Sequence, residues 1–163
     1  MAALAIAEAA GVPSDITIDV TKNFNAVEHR IEKVDTIDGV VYYNDSKGTN
    51  TDASIKAIKA MSRPTLLIAG GYDKNSPYDD FIESFDGKIK ELVLIGATAE
   101  KIKACALEHG FTNIKMADSL EEAVSICKAD SENGDAVLLS PACASWDMFN
   151  SYEQRGRLFK DLV

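Results

Sequence analysis

Residues 44–50 are seven successive small, polar or charged residues, more than a turn requires. Within them, Lys47 supplies a full positive charge, and Thr49 and Asn50 add short hydrogen-bonding groups. A helix is predicted to begin directly afterwards, and the amide groups at the start of a helix attract anions. This segment favours the binding of a phosphate or carboxylate group. The alternative is a polar loop in which Asn50 or Thr51 only caps the helix.

Two later segments have a similar character. In residues 70–75, two successive glycines allow close approach of the backbone, and Lys74 can hold a carboxylate or phosphate. The alternative there is a glycine turn with a solvated lysine. In residues 140–147, Ser145 and the neighbouring backbone amides can form a cradle for an anion. The chain contains no P-loop motif, and no dinucleotide-binding fingerprint follows a strand.

Other reactive side chains in the sequence carry weaker signals. Cys143 is not predicted to be a nucleophile, because both candidate bases, His29 and His109, are remote in sequence. At the end of a predicted helix, His109 is expected to complement the helix dipole. The cysteines, which also include Cys105 and Cys127, form an odd set without metal-ligand spacing. We therefore expect reduced thiols in a cytosolic protein and no metal site.

Arg30 precedes a predicted strand and can pair with a phosphate through two parallel hydrogen bonds, with a surface salt bridge as the alternative. Trp146 and Phe149 are interpreted as packing groups and not as a platform for stacking bases. The residues alone thus predict a rim that binds anions, without specifying a reaction.

Alternating strands and helices must position these segments. The residues Asp38-Gly39 separate two β-prone runs and predict a hairpin. The predicted strands are residues 33–37, 40–43, 65–69, 91–95, 113–116 and 136–139. The predicted helices are residues 2–10, 13–24, 51–61, 78–85, 99–109, 119–129 and 149–162. This order predicts a Rossmann-like α/β fold, with a mostly parallel twisted sheet, helices on both faces and an antiparallel hairpin at one side. Ligands of such sheets gather at the carboxyl ends of the strands.

Length, composition and charge exclude several classes of protein. The 163 residues suit one domain, and a hydrophobic content of 46% argues against disorder. The formal charge of −9 argues against a nucleic-acid binder. No apolar run is long enough to span a membrane. The apolar residues 2–10 contain Glu8 and follow no basic residue, so they do not form a signal peptide.

The motifs occur in an order that resembles the C-terminal domain of the Mur ligases, which are bacterial enzymes of peptidoglycan synthesis. The resemblance covers nearly the whole chain, and the branch that adds D-glutamate to UDP-N-acetylmuramoyl-L-alanine is the most similar. The motifs that carry it are, in chain order, His29-Arg30, Asn44-Asp45-Ser46-Lys47-x-Thr49-Asn50, Gly70-Gly71-x-x-Lys74, Ser140-Pro141-Ala142-Cys143-Ala144-Ser145 and Glu153-Gln154-Arg155-Gly156.

This resemblance implies a three-domain parent enzyme in the bacterial cytoplasm. The resemblance implies that ATP and Mg²⁺ would serve to phosphorylate the substrate carboxylate, and that the amine of the amino acid would then attack the acyl phosphate. Residues 1–24 would be the helical tail of the central ATPase domain, and residues 25–163 the C-terminal domain, which brings the amino acid. ATP and Mg²⁺ would be held mainly by the other domains. The isolated chain is therefore expected to be an inactive monomer that binds neither nucleic acid nor membranes.

The resemblance also implies roles for individual residues on the nucleotide side of the site. Arg30 would reach the terminal phosphates of the nucleotide when the domains close, and Asp45 would lie beside the nucleotide. Lys47 and Thr49 would contact the incoming amino acid or the reacting phosphate. Arg30 and Lys47 are thus the candidate catalytic residues.

On the amino-acid side, the resemblance implies that Lys74 pairs with the side-chain carboxylate of D-glutamate. Ser145, with the backbone amides of Trp146 and Tyr152, would hold a glutamate carboxylate. Thr49 would belong to the same substrate-binding group. These roles agree with the anion-binding rim inferred from the residues alone.

Departures from the family pattern leave alternatives open. The P-loop, the UDP-binding domain and the carbamylated lysine have no counterpart in this chain, and Gly48 stands where the family often has alanine. The corresponding domain of a sister Mur ligase or of a folylpolyglutamate synthase is one alternative. A non-enzymatic module that binds anions or nucleotides is another, and a domain that serves only for interaction is a third.

Overall fold

A computed structural model describes residues 2–23 and 27–163 of the chain. In this structure, the described residues fold around one six-stranded sheet. The strands are β1 (Glu32–Ile37), β2 (Val40–Asn44), β3 (Thr65–Gly70), β4 (Ile89–Ile95), β5 (Ile114–Met116) and β6 (Ala136–Leu139). The helices are α1 (Ala2–Ala9), α2 (Ser14–Asn23), α3 (Thr51–Ala60), α4 (Asp79–Glu83), α5 (Ala99–Glu108), α6 (Leu120–Asp130) and α7 (Tyr152–Leu162).

The strand order is β1-β2-β6-β3-β4-β5, with β1 and β2 antiparallel and every other neighbouring pair parallel. The predicted fold class is therefore confirmed. Asp38 and Gly39 form the predicted hairpin turn, and both have positive φ angles, of 52° and 82°. Positive φ at both positions is the requirement of the tight turn that matches the twist of paired strands.

Helices cover the sheet on both faces. The helices α3, α4 and α5 pack on one face, where Leu67 and Leu92 point, and α6 and α7 pack on the other, where Leu66 and Val93 point. Neighbouring residues of β3 and β6 thus pack in opposite cores, which explains why residues 66–69 and 136–139 are all apolar.

The last helix starts later than the predicted position 149. The backbone amides of Met148 and Phe149 both donate to the carbonyl of Ser145, which makes a turn before the helix. Ser151 then caps α7, because its hydroxyl accepts from the amide of Gln154 at 3.2 Å. The predicted cap at Ser119 is present, since its hydroxyl accepts from the amide of Glu122 at 3.1 Å. Helix α4 is also shorter than the predicted 78–85.

The connections reverse direction around β6. The chain leaves β2 and β3 toward the face of α3 and α4, whereas it leaves β6 toward the opposite face, where α7 lies. Loops that part in this way open a crevice at the carboxyl edge of the sheet. The three polar segments follow β2, β3 and β6, so the fold brings them to this crevice. No helix among the described residues is long and apolar enough to cross a membrane.

The helices α1 and α2 expose apolar side chains. Ile6, Ile16, Ile18 and Val20 are each at least half exposed, with Ile6 reaching 69%. Within the described part of the chain, neither helix contributes a residue to the two core clusters. These helices therefore add little to the stability of the sheet domain.

Removing residues 1–24 should consequently change the free energy of unfolding by less than about 0.5 kcal/mol, the usual range for changes away from the core. Urea unfolding measures this change. As a control, Phe159→Ala in the core of the full-length chain should lower the free energy of unfolding by about 3–5 kcal/mol. A loss above about 2 kcal/mol on truncation would show that the two helices pack on the domain.

Candidate functional site

Backbone hydrogen bonds join the three polar segments at the carboxyl edge. The amide of Asp45, after β2, donates to the carbonyl of Leu139 at the end of β6 over 2.8 Å. The amide of Gly70 donates to the carbonyl of Pro141 at 2.8 Å, and that of Tyr72 to Ala144 at 2.9 Å. The segments that the sequence separates by up to about a hundred residues thus form one surface.

Two glycines permit this close approach. Gly70 and Gly71 have φ angles of 109° and 142°, in the region that favours glycine. A Cβ atom on Gly70 would lie 2.0 Å from the carbonyl oxygen of Ile95, and one on Gly71 would lie 2.4 Å from that of Ala144. The glycine pair is therefore required for the packing of the β3 loop against its neighbours.

Arg155 joins the loop that follows β2 (residues 45–50, the β2 loop) to the loop that follows β6 (residues 140–151, the β6 loop). Its guanidinium, in a side chain only 1% exposed, donates through Nε to the hydroxyl of Ser46 at 3.0 Å and through Nη2 to the Ser46 carbonyl at 2.9 Å. The same group donates to the carbonyl of Cys143 at 3.3 Å and to that of Ala144 at 3.5 Å. Burial lowers the pKa of Arg155 to about 10, which still leaves it charged at neutral pH.

A second buried network fixes the segment that carries Arg30. The side-chain amide of Asn44 donates to Nδ1 of His29 at 2.9 Å and to the carbonyl of Gly156 at 3.2 Å. The carbonyl of His29 in turn accepts from the amide of Lys47 at 3.0 Å. A Cβ atom on Gly156 would lie 2.3 Å from Nδ1 of His29, so glycine is needed there.

Asp45 is a buried carboxyl group at the centre of the site. It accepts from the amide of Ile31 at 3.1 Å and from the hydroxyl of Ser140 at 2.7 Å, while Ser54 Oγ lies 2.8 Å from Ser140 Oγ. Burial raises the pKa of Asp45 to about 6, although these hydrogen bonds and the charge of Arg30 oppose the rise. The carboxyl group is thus poised to change its protonation near neutral pH.

An open cleft of about 720 Å³ brings together five of the residues to which the family resemblance gives a role. Its lining includes cationic groups from Lys47 and Lys56, and Nζ of Lys47 lies 5.5 Å from the centre of the Tyr152 ring. Asn50 caps helix α3, as the alternative interpretation of this segment predicted, because its side-chain oxygen accepts from the amide of Ala53. The five residues are Arg30, Asp45, Lys47, Thr49 and Tyr152.

Lys74 lies beside this cleft and connects it to the β6 loop. Its Nζ donates to the carbonyl of Thr49 at 3.3 Å and lies 5.2 Å from the centre of the Trp146 ring. Trp146 is 65% exposed and contacts Tyr72, so its interpretation as a packing group is wrong. The ring lies at the surface because its contacts are with Tyr72 and with Lys74, which lie on the exposed side of the loop after β3.

Cys143 is a buried packing group. Its Sγ lies 3.1 Å from the hydroxyl of Tyr78 and 3.3 Å from that of Thr98. Burial raises the pKa of the Cys143 thiol, which agrees with the prediction that it is no nucleophile.

No role was predicted for the residues that position the site, namely Arg155, Asn44, Ser54 and Ser140. Arg155, Asn44 and Ser140 stood in motifs of the resemblance without a role, and Ser54 stood in none. The hydrophobic neighbours of Arg155, Leu158 and Phe159, could have indicated a buried face of α7, but no local pattern reveals partners more than a hundred residues away.

The raised pKa of Asp45 predicts a pH dependence of stability. Because the folded state holds this proton more tightly than the unfolded state, the contribution of Asp45 is greatest below about pH 4 and is lost as pH rises through about 6. As the pH rises from about 4 to about 6, the free energy of unfolding of wild type should fall by about 2 kcal/mol relative to that of Asp45→Asn. Urea unfolding of both proteins from pH 4 to pH 8 measures the difference. A difference that does not vary with pH would contradict the assigned pKa.

Comparisons with known proteins agree with this geometry. Residues 29–143 match the family described as Mur ligase, glutamate ligase domain. The UDP-N-acetylmuramoylalanine--D-glutamate ligase of Lachnospira eligens is 60% identical over 162 residues, which are 99% of this chain and 36% of that protein. The enzyme of the same name from Clostridioides difficile is 50% identical over the whole chain and 36% of its own length. The chain thus spans about a third of the curated relatives it matches.

Solved structures share the fold at low sequence identity. The UDP-N-acetylmuramate-alanine ligase of Thermotoga maritima matches 97% of this chain and 35% of its own, with a TM-score of 0.67 and 13% identity. The folylpolyglutamate synthase of Mycobacterium tuberculosis, complexed with ADP, matches 82% of this chain and 32% of its own, with a TM-score of 0.59 and 11% identity. The chain belongs to the family of Mur ligase, glutamate ligase domains.

Proposed function

We propose that this chain is the amino-acid-binding C-terminal domain of an ATP-dependent ligase that joins D-glutamate to UDP-N-acetylmuramoyl-L-alanine in bacterial peptidoglycan synthesis. The observation that carries the proposal is the single rim formed by Lys47, Thr49 and Lys74 at the carboxyl edge of the sheet. Relatives named for this reaction, from 48% to 60% identical, support the choice of amino acid.

The amino acid would lie where the β2 and β6 loops meet. D-glutamate carries two carboxylates and one amine. Lys74 would bind the side-chain carboxylate through a charge-assisted hydrogen bond. Ser145 and the amide of Trp146 in the same loop would receive the other carboxylate. The amide of Tyr152 would join them, since amides in the first turn of α7 have no acceptor within the helix. The work of this chain is then to orient the amine for attack.

The nucleotide side of the cleft would face the absent domains. Arg30 is exposed at its edge and free to reach the terminal phosphates of ATP, and Lys47 would offset charge on the reacting group. ATP would supply the activation of the carboxylate. Asp45 does not suit a direct ligand of Mg²⁺, because its two oxygens already accept from the Ile31 amide and the Ser140 hydroxyl. The binding of Mg²⁺ would therefore fall to the other domains.

The domain boundary belongs to the same proposal. Residues 1–24 would be the tail of the preceding ATPase domain, and residues 25–163 would form the amino-acid-binding domain. The exposed apolar side chains of α1 and α2 support this division, because a neighbouring domain would cover them. The parent enzyme would work in the bacterial cytoplasm. The chain alone would be inactive and monomeric.

In the parent enzyme, Lys74→Ala should raise the KM for D-glutamate about tenfold or more while kcat changes little. The change removes a charge-assisted contact of about 1.5–3 kcal/mol that forms in the ground state and the transition state alike. Arg30→Ala should instead lower kcat, and Lys103→Ala on α5 is the matched control. The release of ADP with D-glutamate as the acceptor measures all three.

Three outcomes would contradict the proposal. An unchanged KM in Lys74→Ala would show that Lys74 does not bind the carboxylate. If the wild-type enzyme preferred L-alanine, lysine or diaminopimelate to D-glutamate, the chain would be a domain of a sister ligase. Nucleotide binding at full affinity by this chain alone would favour a non-enzymatic module.

A further inference from the structure

Three metal-ligating side chains converge far from the cleft, at the contact of α4 with α5. Cys105 and His109 are four residues apart, so they share one face of the α5 segment. Asp79, the first residue of α4, joins them from across the helix contact. One ligand atom from each of the three side chains lies within 4.8 Å of the other two.

The spacing of these atoms suits a small cation. With bonds of about 2.0–2.3 Å, a tetrahedral zinc ion sets its ligand atoms about 3.3–3.8 Å apart. Oδ1 of Asp79 and Nε2 of His109 are already 3.2 Å apart. The side chains of Asp79 and Cys105 reach the surface, so a small rotation can bring the thiol to the same separation.

Negative charges around the cluster also favour the binding of a cation. Glu83 adds a second carboxylate, with its Oε1 3.9 Å from Nδ1 of His109. Among the described residues, His109 is the one basic group that forms an ion pair with Asp79 or Glu83. A metal on Nε2 would leave Nδ1–H facing Glu83, and an outer carboxylate of this kind orients a metal-binding imidazole.

We propose that Asp79, Cys105 and His109 form a binding site for Zn²⁺ or a similar borderline-soft divalent ion. A thiolate, an imidazole and a carboxylate select such a metal over Mg²⁺ or Ca²⁺, which prefer oxygen ligands. Water completes the coordination. On binding, the S–H bond of Cys105 breaks, its proton passes to solvent and the sulfur bonds to the metal.

The ion would fasten the start of a short helix. Helix α4 has five residues, and Tyr78 at its N-terminus makes no side-chain capping bond. Asp79 directly follows Tyr78, whose hydroxyl contacts Cys143 in the β6 loop. The proposed site therefore holds the segment that leads from Lys74 into α4. The spacing of the cysteines predicted no metal site, because Asp79 comes close to Cys105 and His109 only through the fold.

Titration of the tag-free, reduced chain with Co²⁺, a spectroscopic substitute for Zn²⁺, tests the site. We expect a thiolate-to-cobalt charge-transfer band, which Zn²⁺ abolishes by displacement. Cys105→Ser should lose the band, and Asp79→Asn should weaken the apparent affinity about tenfold or more. Glu108→Gln is the matched control, because it removes a nearby carboxylate without removing a ligand, and its band should match that of wild type.

The other two cysteines are buried, so a band from them is not expected. The imidazole resonances of His109 give a second measurement, since Zn²⁺ should shift them in wild type and leave them in place in Cys105→Ser. Absence of the band in wild type at millimolar Co²⁺ would overturn the proposal. A band that persists in Cys105→Ser would overturn it as well.

Discussion

The buried guanidinium of Arg155 is the interaction on which the site depends. A charge in this position is expensive unless polar groups surround it, and here hydroxyl and carbonyl oxygens of Ser46, Cys143 and Ala144 do so. These acceptors belong to loops that follow two different strands. Because the planar group has a rigid set of donors, it fixes the distance and angle between the loops. The binding residues on the two loops are therefore held at fixed positions relative to one another.

The position of the loops follows from the reversal of the connections around β6. The crevice that opens there is polar because the loops after β2, β3 and β6 bring polar and charged residues to it. Lys47 and Lys74 then add charge at the rim. A chain with a formal charge of −9 can in this way present a local cationic surface.

Sequence patterns predicted the layers of the fold because their signals are local. The pair Asp38-Gly39 favours a tight turn, which the structure contains. Ser119 favours the start of a helix, and it caps α6. The five residues around the cleft were found from their types and from the family resemblance. The role of Arg155 and the outward direction of Trp146 were not predicted, because both depend on contacts between distant segments. The start of α7 moved for a local reason, since the turn at Ser145 and the side-chain cap at Ser151 compete with helical propensity there.

Amide hydrogen exchange in Arg155→Lys tests the central claim most directly, because lysine keeps the charge and loses the rigid set of donors. The amides of Lys47 and Ala142, which represent the two loops, should lose protection together by about tenfold or more. The amides of β4 should exchange as in wild type, and Arg157→Lys, an exposed position on the same helix, should change neither set. Unchanged protection of both loops, or a uniform acceleration that includes β4, would contradict the account.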